Sequence, residues 1–250
     1  MIYKSLAHLY DVFMEDVPYG DWLKNIEHYL KKYNIKPETV LDLGCGTGQM
    51  SILFAKKGCE VTGADISEEM LTEAYNNAVK AGVNPLFVQQ DMREFSSPEG
   101  YDLIISLCDS LNYITDKDDL KKVFENCKNA LNDNGLFIFD LNTPYKLKEI
   151  LGNGSFCQTT DSYAFTCENC FDEDKNICEY YVNIFSENPD GSYERAEECH
   201  YERAYSVEEI KGLLKETGFK LLETADAENL EAPTETTERI YFIVRKDNEI

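Results

Sequence analysis

Between residues 39 and 142 short, continuous apolar runs alternate with stretches whose apolar residues recur every three or four positions. The runs are VLDLG (40–44), EVTGAD (60–65), PLFVQQD (85–91), YDLIISL (101–107) and LFIFDL (136–141). Unbroken apolarity of this length fits strands buried on both faces, and helical periodicity between them makes βαβ units. Helices are expected over about 48–57, from Ser67 to about Ala81, and over 116–131, where Leu120, Val123, Phe124 and Cys127 share a face. Asp133-Asn134-Gly135 reads as a turn before the fifth strand.

The flanks differ. Residues 1–33 carry Leu6, Leu9, Tyr10 and Phe13 at helical spacing; Pro18 and Gly20 interrupt, and Asp21 is expected to cap a second helix to Tyr33. The stretch 151–205 has strand-like segments at about 160–171, 177–186 and 192–205, separated by turn-forming residues, and reads as an antiparallel meander. SVEEIKGLLKETGF (206–219) restores an amphipathic helix with Ser206 as cap and Glu209 three residues on, followed by strands at 219–225 and 239–246. The expected fold is a Rossmann-like α/β core (37–150 and 206–250) with helices on both faces. An N-terminal helical lid (1–36) and an antiparallel β insertion (151–205), a cap on the acceptor side, complete it.

Charge narrows the partners. The chain carries 47 acidic against 24 basic residues, a net charge of −23, which repels phosphate backbones and anionic lipid. The segment 161–200 alone holds 11 acids and 2 bases, a local −9. Nucleic acid and membrane are therefore not expected partners. No apolar run reaches bilayer length and the first residues do not read as an export signal, so nine reduced cysteines in the cytoplasm are expected.

The chemistry centres on VLDLGCGTGQM (40–50). A strand ends in Gly44, Gly46 and Gly48, where the backbone turns sharply and a ligand can approach without meeting a Cβ. A helix N-terminus then offers amide donors to an anionic group. Asp65 closes the second strand 21 residues after Gly44, where a carboxylate can accept from both hydroxyls of a ribose. Gln49 occupies the place of the last glycine in the dinucleotide pattern G-x-G-x-x-G, which disfavours a nicotinamide oxidoreductase.

These residues resemble the cofactor motif of the class I S-adenosylmethionine-dependent methyltransferases. ADISEEML (64–71), QQDMREF (89–95), YDLIISLCDSLNYI (101–114) and LNDNGLFIFDLNTP (131–144) resemble its later motifs in order, and the closing strands resemble its terminal hairpin. The opening segment resembles a bacterial small-molecule subfamily in which a helical segment lids the cofactor. The resemblance implies S-adenosylmethionine as cofactor, S-adenosylhomocysteine as product, and transfer to a nitrogen or oxygen of a small acceptor. An inactive cofactor-binding scaffold is the alternative.

By the same resemblance, Asp65 takes the ribose, Ile66 and Met70 flank the adenine, and Asp91 and Met92 meet its edge. The backbone near Leu107 and Asp109 lies by the sulfonium. Asp42 and the Gly44 carbonyl face the ammonium, and the amides around Cys45 and Gly46 face the carboxylate. For Asp42 a turn-capping role stands equally, and Tyr10 and Trp22 either border the methionine end or simply pack the lid.

On the acceptor side Asn112, Asn142, His200 and Arg203 are candidates, since ligands of such sheets bind at the C-terminal ends of the strands. On a strand His200 shares a face with Glu202, and Tyr201 with Arg203. His200 and Asp109 are the candidate catalytic groups, although a neutral amine would need no base. His8 and His28 read as structural. The CENC pair Cys167 and Cys170 points to opposite faces of a strand, so no metal site is expected.

Overall fold

The computed structural model describes residues 7–247, apart from the His8 side chain; Leu6 and the chain ends lie outside the described residues. Helices α1 (Ala7–Phe13) and α2 (Tyr19–Lys32) precede β1 (Thr39–Leu43), α3 (Gln49–Lys56), β2 (Glu60–Asp65), α4 (Glu68–Ala81) and β3 (Leu86–Gln89). Then come β4 (Tyr101–Ser106), α5 (Lys117–Ala130) and β5 (Leu131–Asn142). Four strands follow, β6 (Ser155–Thr159), β7 (Tyr163–Asp172), β8 (Ile177–Glu187) and β9 (Tyr193–Arg203), and the chain closes with α6 (Val207–Glu216), β10 (Phe219–Asp226) and β11 (Arg239–Lys246).

The main sheet has the order β10-β11-β5-β4-β1-β2-β3. Its five central and edge strands β1 to β5 run parallel, and β11 lies antiparallel between β5 and β10. Both faces are buried because alternate residues serve different layers. On β5, Phe137 and Phe139 meet Leu120, Val123 and Phe124 of α5 and Ile210 and Leu214 of α6. Leu136 and Ile138 point the other way, toward Ile26 and Tyr29 of α2 and Phe54 of α3. This accounts for the unbroken apolar runs. The order reverses between β1 and β4, so their loops part above the sheet and open a crevice there.

The capping residues behave as their chemistry dictates at two helices. Ser67 Oγ accepts from the Met70 amide, and Ser206 with Glu209 forms a reciprocal capping box. At α2 the expectation fails: the helix begins at Tyr19 after Pro18, and Asp21 sits in its first turn bound to Lys24 at 2.7 Å. Asp133-Asn134-Gly135 is not a turn ahead of β5 but an irregularity inside it, where pairing jumps from Tyr101–Leu131 to Leu103–Leu136.

The second sheet, β6-β7-β8-β9, is antiparallel throughout. Its strand β6 had no expectation behind it: all five residues are exposed, so no hydrophobic alternation marks them. The sheet's inner face packs Cys167, Val182 and Ile184 on Leu9 of α1, and Phe13 meets Phe165 edge-on at 4.6 Å.

Asp11 fastens α1 to the main sheet. Its carboxylate accepts from Thr47 Oγ1, in the glycine loop, and from Asn77 Nδ2 on α4, both at 2.6 Å. Asp11→Ala is expected to speed amide exchange in α1 and residues 44–48 by about tenfold, equivalent to roughly 1.4 kcal/mol, without changing β4 or β5. Unchanged exchange in α1 would contradict this role for Asp11.

Candidate functional site

The crevice between β1 and β4 holds a chamber of about 340 Å³. The glycine loop forms its floor. Gly44, Gly46 and Gly48 all have positive φ, at 75°, 51° and 79°. A Cβ on Gly44 would stand 2.8 Å from Ser110, and one on Gly48 would stand 2.9 Å from Phe87, so those two turns admit no side chain. A Cβ on Gly46 would meet nothing within 4 Å, because the chamber lies there.

Of the cofactor residues expected from sequence, Asp42, Gly44, Cys45, Gly46, Asp65, Ile66 and Met70 line this chamber from β1, β2 and α4. Asp91, Met92 and Leu107 close it from the loops after β3 and β4, and Tyr10 and Trp22 from the N-terminal helices. Asp109 does not line it. Cys108 and Asp109 are held in left-handed conformations, with φ of 61° and 55°, and this turn carries the Asp109 side chain away from the chamber. Tyr19, Thr47, Ser110 and Tyr113 also line it; the last three stand inside the quoted motifs, which assigned them no role.

The carboxylates differ in state. Asp42 is buried, accepts from Ser51 Oγ at 2.6 Å, and burial lifts its pKa to about 6. Burial also raises Asp65, against the amide hydrogen bonds that it accepts from Ser67 and Gly46, both at 2.9 Å. The Gly46 amide therefore donates to Asp65 rather than into the chamber, which corrects its expected role toward a ligand carboxylate. Asp91 is held low by its hydrogen bonds from Arg93, whose guanidinium spans both oxygens. The acids Asp42, Asp65, Asp91, Asp116 and Asp119 against Arg93 suit a ligand with cationic groups. S-adenosylmethionine, with a sulfonium and an ammonium, fits that donor set and the space above Gly46.

A second chamber of about 420 Å³ adjoins the first. Tyr10, Trp22, Cys108 and Tyr113 line both. The Tyr10 hydroxyl lies 3.8 Å from Cys108 Sγ, and burial with the neighbouring Asp109 pushes that thiol up to about 12. Beyond them stand Asp109, Arg239, Tyr180 and, on the inner face of β9, His200 and Glu202. His200 Nε2 lies 3.1 Å from Glu198, and its ring meets Tyr113 edge-on.

Three of the expected acceptor residues lie elsewhere. Asn112 is fully buried and bonds backbone: Nδ2 donates to the carbonyls of Asn142 and Arg203 at 3.1 and 2.9 Å, and Oδ1 accepts from the Asn142 amide at 3.0 Å. Asn142 donates through Nδ2 to Glu202 Oε2 at 2.9 Å. Arg203 reaches the Thr115 carbonyl at 3.1 Å and stacks on Tyr205. All three tie β9 to the main sheet, because side chains below the strand ends turn into the protein rather than the crevice. Cys167 is buried and Cys170 exposed, on opposite faces as strand geometry requires.

The state of Asp42 has a measurable consequence. A carboxyl whose folded pKa lies above its unfolded value weakens the fold at pH above both. Between 3.8 and about 6 that cost grows to about 3 kcal/mol. Asp42→Asn is expected to melt above the wild type at pH 8, with the difference gone at pH 4. Equal melting temperatures at pH 8 would contradict the burial argument.

The chain matches the family described as "Methyltransferase domain" over residues 40–135. It is 35% identical to a methyltransferase by name from Geobacillus sp. (strain WCH70), covering 98% of this chain and 100% of that one. It is 36% identical to YqeM of Bacillus subtilis (strain 168), also a methyltransferase by name, over 100% of this chain and 99% of the other. The crystal structure of an S-adenosylmethionine-dependent methyltransferase from Clostridium acetobutylicum ATCC 824 superposes with a TM-score of 0.87 at 35% identity, over 98% of both chains. Sheet order, glycine loop and full-length likeness agree: the chain belongs to the class I S-adenosylmethionine-dependent methyltransferases.

Proposed function

We propose that the protein transfers the methyl group of S-adenosylmethionine to a nitrogen or oxygen of a small molecule seated in the second chamber. The observation that carries this reading is the shared wall of Tyr10, Trp22, Cys108 and Tyr113, through which one chamber meets the other. Both volumes fall in the range of small-ligand sites, about 300–1,000 Å³. The acidic surface of the β6–β9 sheet supports a metabolite over a nucleic acid.

When bound, the cofactor supplies an electrophilic methyl group on a cationic sulfur. The residues of the chain hold the reactants. Asp65 accepts from the ribose hydroxyls with the lone pairs left by its two amide bonds. Asp42 and the Gly44 carbonyl would hold the ammonium, Ile66 and Met70 the adenine faces, Asp91 and Met92 its edge, and the Leu107 backbone the region of the sulfonium. Tyr10, Trp22 and Tyr113 narrow the passage, so that the acceptor nucleophile approaches in line and water is kept out. Holding the two reactants in line supplies much of the acceleration in such a displacement, up to about 7–11 kcal/mol in favourable cases.

Calorimetric titration of S-adenosylhomocysteine tests the assignment. Micromolar binding is expected, weakened about a hundredfold or more by Asp65→Ala, since each charge-assisted bond contributes about 1.5–3 kcal/mol. Equal affinity in the variant would remove Asp65 from the site. NADH binding in place of S-adenosylhomocysteine would sink the reading.

A further inference from the structure

The second chamber has a chemical preference. Its guanidinium, Arg239, is occupied at both ends: Nη2 donates to Asp109 and Nη1 to Asp140, each at 2.6 Å, and its plane lies over Trp22. Two carboxylates already face its single positive charge, which leaves no net cation for an anionic acceptor. The imidazole of His200 faces Glu198. What remains is acidic, aromatic and, through Met14, Val17, Pro18 and Val182, aliphatic. Glu202 is 4% exposed at the inner end, and Asp16 lies exposed between α1 and α2. Trp22, Tyr113 and Tyr180 line the same space, with Arg239 over the Trp22 ring and His200 edge-on to Tyr113. A carboxylate within an aromatic cage selects a cation with an apolar body.

Glu202 is also fixed in place. Asn142 Nδ2 holds Oε2 at 2.9 Å, and Asn142 is itself locked through its amide and carbonyl by Asn112. The carboxyl thus projects from β9 with its orientation set by the main sheet.

We propose that the acceptor is a small primary or secondary amine, bound as its ammonium, and that Glu202 is the catalytic residue that takes its proton. The inference rests on the methyl-transfer reading above. Glu202 accepts one proton from the ammonium and becomes a neutral carboxylic acid. The freed nitrogen lone pair forms the N–C bond while the C–S bond breaks and its electron pair stays on sulfur. The methylated nitrogen keeps its remaining protons and leaves as a cation, and Glu202 later gives its proton to solvent.

The surroundings suit that exchange. Burial, with the Asp109 carboxylate, pushes Glu202 up to about 8, against the Asn142 hydrogen bond, Arg239 and Tyr180. Other titratable groups around it are Cys178 of β8, which pairs with it across the strands, Cys167 of β7, His200 of β9, Tyr10 of α1, Cys108 and Tyr113 after β4, and Asp16 after α1. A base of that strength lies within two or three powers of ten of an alkylammonium, whose pKa is about 10.4 in lysine. A hydroxyl near water's value of about 15.7 stays far above it, so nitrogen is favoured over oxygen.

The test uses the full chain saturated with S-adenosylhomocysteine at pH 7.5. Benzylamine and cyclohexylamine are titrated beside benzyl alcohol and cyclohexanol, followed by fluorescence of Trp22, the single tryptophan. Calorimetry in two buffers of different protonation heat counts the protons released. The amines are expected to bind at least about tenfold tighter than the matching alcohols, and each to displace a proton as Glu202 ionises. Glu202→Gln is expected to abolish both the preference and the proton release, with the S-adenosylhomocysteine affinity kept within about twofold.

Alcohols bound as tightly as amines, or amine binding by the wild type without proton release, would overturn the proposal; both are read on the wild type, whether or not the variant folds. Failure of S-adenosylhomocysteine to bind appears before any amine is added and overturns the methyl-transfer reading itself.

Discussion

Arg239 is the charge around which the crevice is organised. It sits at the start of β11, and its guanidinium bridges Asp140 of β5 and Asp109 of the loop after β4. Asp140 is fully buried and also accepts from the Cys108 and Asp109 amides at 3.3 and 3.0 Å. One buried carboxylate thus caps the left-handed turn that separates the chambers, and one guanidinium neutralises it. Removing one partner of such a cluster leaves a buried charge uncompensated, typically at a cost of about 3–5 kcal/mol. The antiparallel strand β11 therefore contributes to the site as well as to the sheet: it delivers the cation that makes the Cys108–Asp109 turn tenable.

From that turn the division of labour follows. Leu107 lines the first chamber, Asp109 the second, and Cys108 both. The first chamber is built on the core, with the glycine loop after β1 and Asp65 at the end of β2, and is closed by Tyr10 and Trp22. The second chamber sets parts added to the core, α1 and the turn after it and β7 to β9, against Cys108, Asp109, Tyr113 and Arg239 of the core. Asp11 and Asn142 are the joints, one holding α1 to the glycine loop and the other holding Glu202 to β5. The same core can serve different acceptors when only the added elements change.

Much of this was legible in the residues. Continuous apolar runs mark strands buried on two faces, and β1, β2 and β4 lie where those runs stand. Gly44 and Asp65 stood out because a strand end followed by a tight turn has few solutions, and Met70, Asp91 and Leu107 through the resemblance alone; all five line the first chamber. Side-chain direction past the end of a strand was not. Asp109 rotates out of the cofactor chamber because two successive residues adopt positive φ without a glycine to announce it. Asn112, Asn142 and Arg203 bond backbone that is distant in sequence, so no local spacing reveals it. Glu202 was marked as facing with His200 by strand alternation alone; its burial needed the second sheet to be folded over the first. The strand β6 left no trace because it buries nothing.

A crystal structure with S-adenosylhomocysteine bound tests the central claim, that two chambers meet at the Tyr10, Trp22, Cys108 and Tyr113 wall. The account predicts the ribose on Asp65, the adenine between Ile66 and Met70, and the thioether sulfur turned toward that wall and the second chamber. A sulfur turned away from it, or an adenosine held outside the crevice between β1 and β4, would contradict the account.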